Sequence, residues 1–300
     1  MVTLTKAVDN IRQMLGWVAI MKVSYQLLRI LACVSASVCY ILYYFHMDSS
    51  TVGTVLFHVL VSYQALFFML SGRFLLDKYD GNILGFYWRR FYKIVIPFLF
   101  ASFVALICKI GFSVSLGFAK DFIKGVCLGN IEEAYGFMYG LFVFYLVVPF
   151  LSVMVKALSR KEKQALLYLL IGYFVLFDLC VVLDLRLFIV TYPFLNLIGY
   201  ALIGYLIDHI DLTKKAYWKI LIAGVIALFV SVLEKLICPD LNWALDTYCL
   251  TRALMCLAIY LFVTKRKLEH ENTNKVIGVL GRATYYVALV LPVLVQVVFS

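Results

Sequence analysis

Charge is scarce in this chain. Only 15% of its 300 residues are Asp, Glu, Lys or Arg, and 64% are hydrophobic, where soluble domains run near a quarter and a half. That imbalance excludes a soluble enzyme, a secreted disulfide scaffold and a DNA-binding domain, so no nucleic-acid partner is expected. Proline is scarce too, with five residues, and no internal repeat or low-complexity tract divides the chain. It reads as one membrane domain over 27–300, preceded by a cytoplasmic or interfacial segment, 1–26. The eight cysteines form no Cys-x-x-Cys pair and have no histidine at zinc-ligand spacing, so no metal site is expected. Cys238 and Cys249 flank one loop; they either form a disulfide or, like the others, serve as small buried hydrophobes. The first twenty residues lack the compact basic–apolar–small order of a cleavable signal. Leu15, Trp17, Val18 and Ile20 suggest a short interfacial helix, and Met21-Lys22 reads as an alternative start.

What is abundant is apolar runs of roughly twenty residues, the length that crosses a ~30 Å bilayer core as a helix. The runs are continuous rather than alternating, which favours helices over barrel strands. Spans are expected near 27–45, 52–72, 94–112, 135–155, 165–183, 187–207, 217–237, 246–263 and 279–299. The fold class is therefore an all-α integral membrane bundle of nine to ten helices. The loops alternate in charge: 21 of the 27 Lys and Arg residues fall in the N-terminal segment and in every second loop. The remaining six are Lys109, Lys120, Lys124, Arg186, Lys235 and Arg252. The positive-inside rule then places the N-terminus in the cytoplasm and the C-terminus outside. A re-entrant or tenth span at 113–130 would reverse everything after it.

Ionisable groups inside spans are costly and tend to face the bundle interior or a water-filled cavity. Tyr40, His58, Lys109, Asp178 and Arg252 all fall in the outer third of the membrane. One by one they have plain readings: Lys109 and Arg252 snorkel, Asp178 pairs with Arg252, and His58 packs. Together they suggest a polar cavity open to the outside. At the opposite face Arg89, Arg90 and Lys93 cluster before the third span, with Arg73 behind Ser71-Gly72. These are either topogenic charges or a site for a phosphorylated ligand, which guanidinium groups bind bidentately.

Several strings, taken in order, resemble acyltransferase family 3, bacterial multi-pass membrane proteins that O-acylate surface polysaccharides and related glycans. They are Leu28-Arg29 at the first span, Phe67-Phe68-Met69-Leu70-Ser71-Gly72 with Leu75-Leu76 at the second, and Arg89-Arg90-Phe91 with Lys93, Ile94 and Ile96-Pro97 at the third. Tyr139, Tyr145-Leu146 and Pro149 match the fourth span, and Gly199-Tyr200 with Gly204-Tyr205 the sixth. The resemblance covers roughly 22–298 and implies a bacterial inner-membrane location. It also implies acyl-coenzyme A as the donor substrate, with no permanently bound cofactor, and a polysaccharide or glycolipid acceptor. Two histidines of the family are replaced: eleven residues after Arg29 stands Tyr40, and Leu291 precedes Pro292. The family's tryptophan at the fourth span falls on Gly136.

Acyl transfer to a hydroxyl needs a base and donors for the tetrahedral oxyanion. Tyrosine is a poor base but a serviceable hydrogen-bond donor. The expected catalytic set is thus His58 as base, Tyr40 as orienter or oxyanion donor, and Asp178 fixing the imidazole tautomer. Arg29, Ser71, Gly72, Arg73, Arg89, Arg90 and Lys93 form the expected donor site; Ser71 and Gly72 either admit the thioester arm or pack helices closely. Two other readings stand beside the enzyme: a non-catalytic relative that binds donor or glycan, and a transporter or flippase. The latter has no repeat symmetry or broken-helix pair to support it.

Overall fold

The computed structural model describes residues 23–46, 50–60, 63–111, 116–132, 135–183, 194–237, 249–265 and 271–299. Every regular element among them is helical. In chain order these are α1 (Val23–Tyr44), α2 (Thr51–Leu60), α3 (Tyr63–Lys78), α4 (Ile83–Arg90) and α5 (Ile96–Ile110). They continue with α6 (Leu116–Leu128), α7 (Gly136–Ala157), α8 (Arg160–Val182), α9 (Phe194–His209), α10 (Lys214–Ile237), α11 (Leu250–Thr264) and α12 (Glu271–Phe299). A π-helical turn, Phe91–Val95, joins α4 to α5, making one apolar run, Ile83–Ile110. Among the described residues, five helices are long and apolar enough to cross a membrane: Ser24–Tyr44, Ile83–Ile110, Gly136–Ala157, Arg160–Cys180 and Lys214–Leu233.

Several span boundaries differ from expectation, the last helix among them, which starts at Glu271 rather than 279. Over the expected span 52–72 helix is described at Thr51–Leu60 and Tyr63–Lys78, so the helical run extends six residues past 72. The expected third span starts eleven residues earlier than 94, at Ile83. Asn82 stops the loop there: its side chain caps the Gly85 N–H at 2.8 Å, one of the donors a helix start leaves unpaired. The basic cluster 89–93 therefore lies on a helix, not in a loop. A second cap starts α8, where Ser159 and Glu162 exchange hydrogen bonds with each other's backbone N–H, a capping box. Cys249 carries a free thiol against the Thr251 hydroxyl; Cys238 lies outside the described residues.

Side-chain contacts sort the helix ends into two layers. At the basic end Lys156 donates to the Tyr79 carbonyl, Arg160 pairs with Asp211, and Tyr25 and Arg73 both reach Asp208. At the opposite end Tyr40 meets Glu132, Tyr139 donates to the Val126 carbonyl, and Asp178 meets Leu250. Lys109, at the end of α5, donates to the Ile131 carbonyl at 2.7 Å. The end of α5 and Ile131 thus lie side by side, and α6, at thirteen residues, is ~20 Å long, too short for a full crossing.

At the centre lies α9, buried at every residue from Gly199 through Ile207, as expected of a helix that is apolar all round. It meets α3 backbone to backbone. A Cβ on Gly72 would stand 1.9 Å from the Ala201 carbonyl oxygen, and one on Gly204 would stand 2.2 Å from the Met69 oxygen. Small residues permit such approach where lipid supplies no hydrophobic drive for helix pairing.

Three prolines sit in the described helical runs, and each opens the carbonyl ladder on its N-terminal side. In each case the carbonyl three residues back takes a tyrosine hydroxyl from another helix. Tyr285 donates to Ile94 before Pro97 at 2.7 Å, Tyr87 to Leu146 before Pro149 at 2.8 Å, and Tyr135 to Leu289 before Pro292 at 2.7 Å. The carbonyl that each proline leaves without its N–H donor is the one four residues back, so each hydroxyl lands beside the gap, where side chains from neighbouring helices reinforce an opened ladder.

Candidate functional site

The cations at the basic end divide into two kinds. Arg73 is held by carboxylates: its Nε donates to Asp208 at 2.6 Å and Nη1 to Asp77. Arg89 is also held, by Asp80 at 3.2 Å, with both side chains about half exposed. The Asn82 N–H and Arg89 keep the Asp80 carboxyl below its ordinary range. Arg29 and Arg90 instead lie over rings: Arg29 is 4.9 Å from the Phe74 centroid, and Arg90 is 5.3 Å from Phe86 and 5.6 Å from Tyr145. Lys78 shares Phe74 at 5.6 Å. No carboxylate among the described residues pairs with Arg29 or Arg90, and the Arg90 Nε is buried without a hydrogen-bond partner. A guanidinium stacked on a ring keeps its in-plane N–H edge available for an anion.

Adjacent residues on a helix point about 100° apart, so Arg90 faces the bundle while Arg89 faces out. Tyr145 lies within electrostatic reach of both Arg29 and Arg90, bringing α1, α4 and α7 to one place. Lys93 is exposed on the π turn and Ser71 is half-buried. Gly72 spends its missing Cβ on the Ala201 backbone, which is helix packing.

At the opposite end the Tyr40 hydroxyl donates to Glu132 Oε1 at 3.3 Å. Glu132 is 6% exposed, just ahead of α7, beside the carbonyl that Lys109 anchors. Tyr135 is 1% exposed and lies within electrostatic reach of Glu132. Asp178 accepts from the Leu250 N–H on both oxygens, at 3.2 and 3.0 Å, so it caps α11 from α8, with its charge at the favourable end of the helix dipole. Arg252, in the first turn of α11, is fully buried. His58 lies on α2, but its side chain is outside the described residues. The structure thus brings Arg29 to Arg90 and Tyr40 to Glu132, and ties Arg73, Arg89, Gly72 and Asp178 to structural partners.

The two clusters stand eleven residues apart on α1, ~16 Å at the α-helical rise. Between them Tyr285 lies within electrostatic reach of both Tyr145 and Tyr135, so a file of tyrosines links one cluster to the other. Sequence reasoning missed Glu132, Lys78 and Asp208. The signal for Asp208 was available: it is an acid in the last turn of an apolar helix, as Asp178 is. Glu132 sat in the loop whose path was open.

No curated protein and no solved structure matches this chain. A family model described as an acyltransferase domain, Acyl_transf_3, matches residues 24–299, all but the first segment and the last residue. The helical bundle and its apolar spans agree with a membrane acyltransferase, and the chain belongs to acyltransferase family 3.

Proposed function

We propose that this protein moves an acyl group, acetyl in the simplest case, from acyl-coenzyme A to a hydroxyl of a surface polysaccharide or glycolipid in a bacterial inner membrane. The basic end faces the cytoplasm in this reading, and the chain crosses nine times from a cytoplasmic N-terminus. The alternation of basic loops supports that orientation, and the contact of Lys109 with Ile131, with only the short α6 between them, supports the odd count.

One observation carries the donor site: Arg29 and Arg90 converge near Tyr145 over aromatic rings, with no carboxylate among the described residues paired to either. They are suited to the phosphates of coenzyme A, and Lys78 adds a third charge. The pantetheine arm then runs along the tyrosine file toward Tyr40. At the far end Glu132 takes the proton of the acceptor hydroxyl, and the acceptor oxygen attacks the thioester carbonyl. The carbon–sulfur bond breaks, and the leaving thiolate recovers the proton from Glu132. Tyr40 holds the carboxylate in place, so Glu132 occupies the role expected of His58.

The test is transfer from radiolabelled acetyl-coenzyme A in reconstituted protein. Glu132→Gln should lower turnover roughly 100- to 10,000-fold, the range of a general base, with donor binding intact. Full activity in Glu132→Gln together with none in His58→Ala would return the base to His58. A second reading has its own support, in Tyr40 and Leu291 at the family's histidine positions: a relative that binds donor or glycan without turnover. It holds if the native protein is inert and Tyr40→His with Leu291→His restores transfer.

A further inference from the structure

Beside the donor cations, four helices meet on one carboxylate that the transfer step does not use. Asp208, in the last turn of α9, accepts three hydrogen bonds on Oδ2. They come from the Tyr25 hydroxyl at 2.7 Å, Arg73 Nε at 2.6 Å and the Tyr260 hydroxyl at 2.9 Å. Its side chain is 12% exposed. Apolar side chains of equal volume hold helices together at least as well as buried charges do, so tying α1, α3, α9 and α11 does not require this group.

Its neighbours indicate what it orders. Tyr25 meets Phe74 edge to face, at 5.2 Å and 77°. Phe74 is the ring on which Arg29 lies. Tyr25 stands one turn before Arg29 on the same helix face, and Arg73 directly precedes Phe74. Asp208 therefore grips the residue one turn below the donor cation and the residue next to its ring.

We propose that Asp208 is a positioning residue of the donor site, holding Tyr25 and Arg73 so that Phe74 presents Arg29 to the phosphates of the acyl donor. The proposal rests on the donor reading above, which Arg29→Gln tests separately.

The experiment is steady-state transfer by full-length protein in nanodiscs, with acetyl-coenzyme A varied and acceptor saturating, alongside thermal melting of each variant. Asp208→Asn keeps the shape and removes the charge. Tyr25→Phe keeps the ring on Phe74 and removes one hydrogen bond, so it decides the matter should Asp208→Asn fail to accumulate. Both should raise the KM for acetyl-coenzyme A, by roughly tenfold in Asp208→Asn, as loss of a charge-assisted hydrogen bond implies, with kcat unchanged. Phe74→Leu should do the same. A lower melting temperature with unchanged KM would overturn the proposal, leaving Asp208 as a helix tie. A fall in kcat at unchanged KM would overturn it as well. If Arg29→Gln leaves KM unchanged while Asp208→Asn raises it, the donor reading fails instead, and Asp208 acts by another route.

Discussion

Gly72→Ala is the sharpest test of how α3 and α9 are joined. The new Cβ would stand 1.9 Å from the Ala201 oxygen, and ordinary contact begins at 3.4 Å. The obstacle is backbone, which no rotamer change removes, so the helices must part locally by about 1.5 Å. Overpacking of this kind destabilises by ~1–3 kcal/mol, occasionally more. The parting has a second effect. Arg73, the next residue, lies 2.6 Å from Asp208 of α9, and a shift of that size takes the pair to about 4 Å, beyond hydrogen-bond distance. Gly204→Ala opens the same seam, since its Cβ would stand 2.2 Å from the Met69 oxygen. The double substitution should therefore destabilise by less than the sum of the singles, because the first parting makes room for the second methyl. Melting of detergent-solubilised protein, read by size-exclusion chromatography after heating, gives all four corners of the cycle. The argument is refuted if Gly72→Ala melts with wild type, or if the two substitutions add. A raised donor KM with unchanged melting would mean that Gly72 makes room for the thioester arm instead.

Arg90→Gln should weaken acetyl-coenzyme A binding by ~1.5–3 kcal/mol, as loss of a contact to a charged group does. Arg89→Gln should leave it unchanged between pH 5 and pH 8. Asp80 has its carboxyl held below the ordinary 3.8, so the pair that engages Arg89 is lost only as pH falls below that value; isothermal titration at several pH values checks both. Tyr135→Phe removes the hydroxyl from the Leu289 carbonyl and should destabilise by about 0.5–1.5 kcal/mol, the net worth of one hydrogen bond, read as a lower melting temperature. Reporters inserted after Gly111 and after Asn130 should both report the outside, and one after Arg160 the cytoplasm. Opposite signals at 111 and 130 would mean that α6 crosses.

The layers were legible because they rest on quantities that add along the chain: apolar length fixes where helices lie, and basic charge fixes which ends lie together. The division between Arg89 and Arg90 was not, since it depends on helical phase. A loop has no phase, and 89–93 reads as a loop until Asn82 is known to start a helix. The partner of Tyr40 was hidden for another reason. Glu132 is 92 residues away in sequence, and hydropathy cannot say which loop residue folds back over which helix. His58 was chosen for its chemistry and depth, and the nearest described acid to Tyr40 proved to be in the loop before α7.

The pairing of prolines with tyrosines bears on how such a chain can change over generations. Ile94, Leu146 and Leu289 each accept a tyrosine hydroxyl beside the carbonyl four residues back that Pro97, Pro149 or Pro292 leaves without its N–H donor. A sequence that drops one of these prolines restores that donor, which relaxes the demand on the tyrosine beside the gap. The reverse order, hydroxyl first, strips a contact from a ladder that is still open at membrane depth. Descent should therefore favour proline lost before tyrosine at each pair. The coupling would appear as correlated substitution between residues as far apart as Ile94's neighbour Pro97 and Tyr285, on helices at opposite ends of the chain.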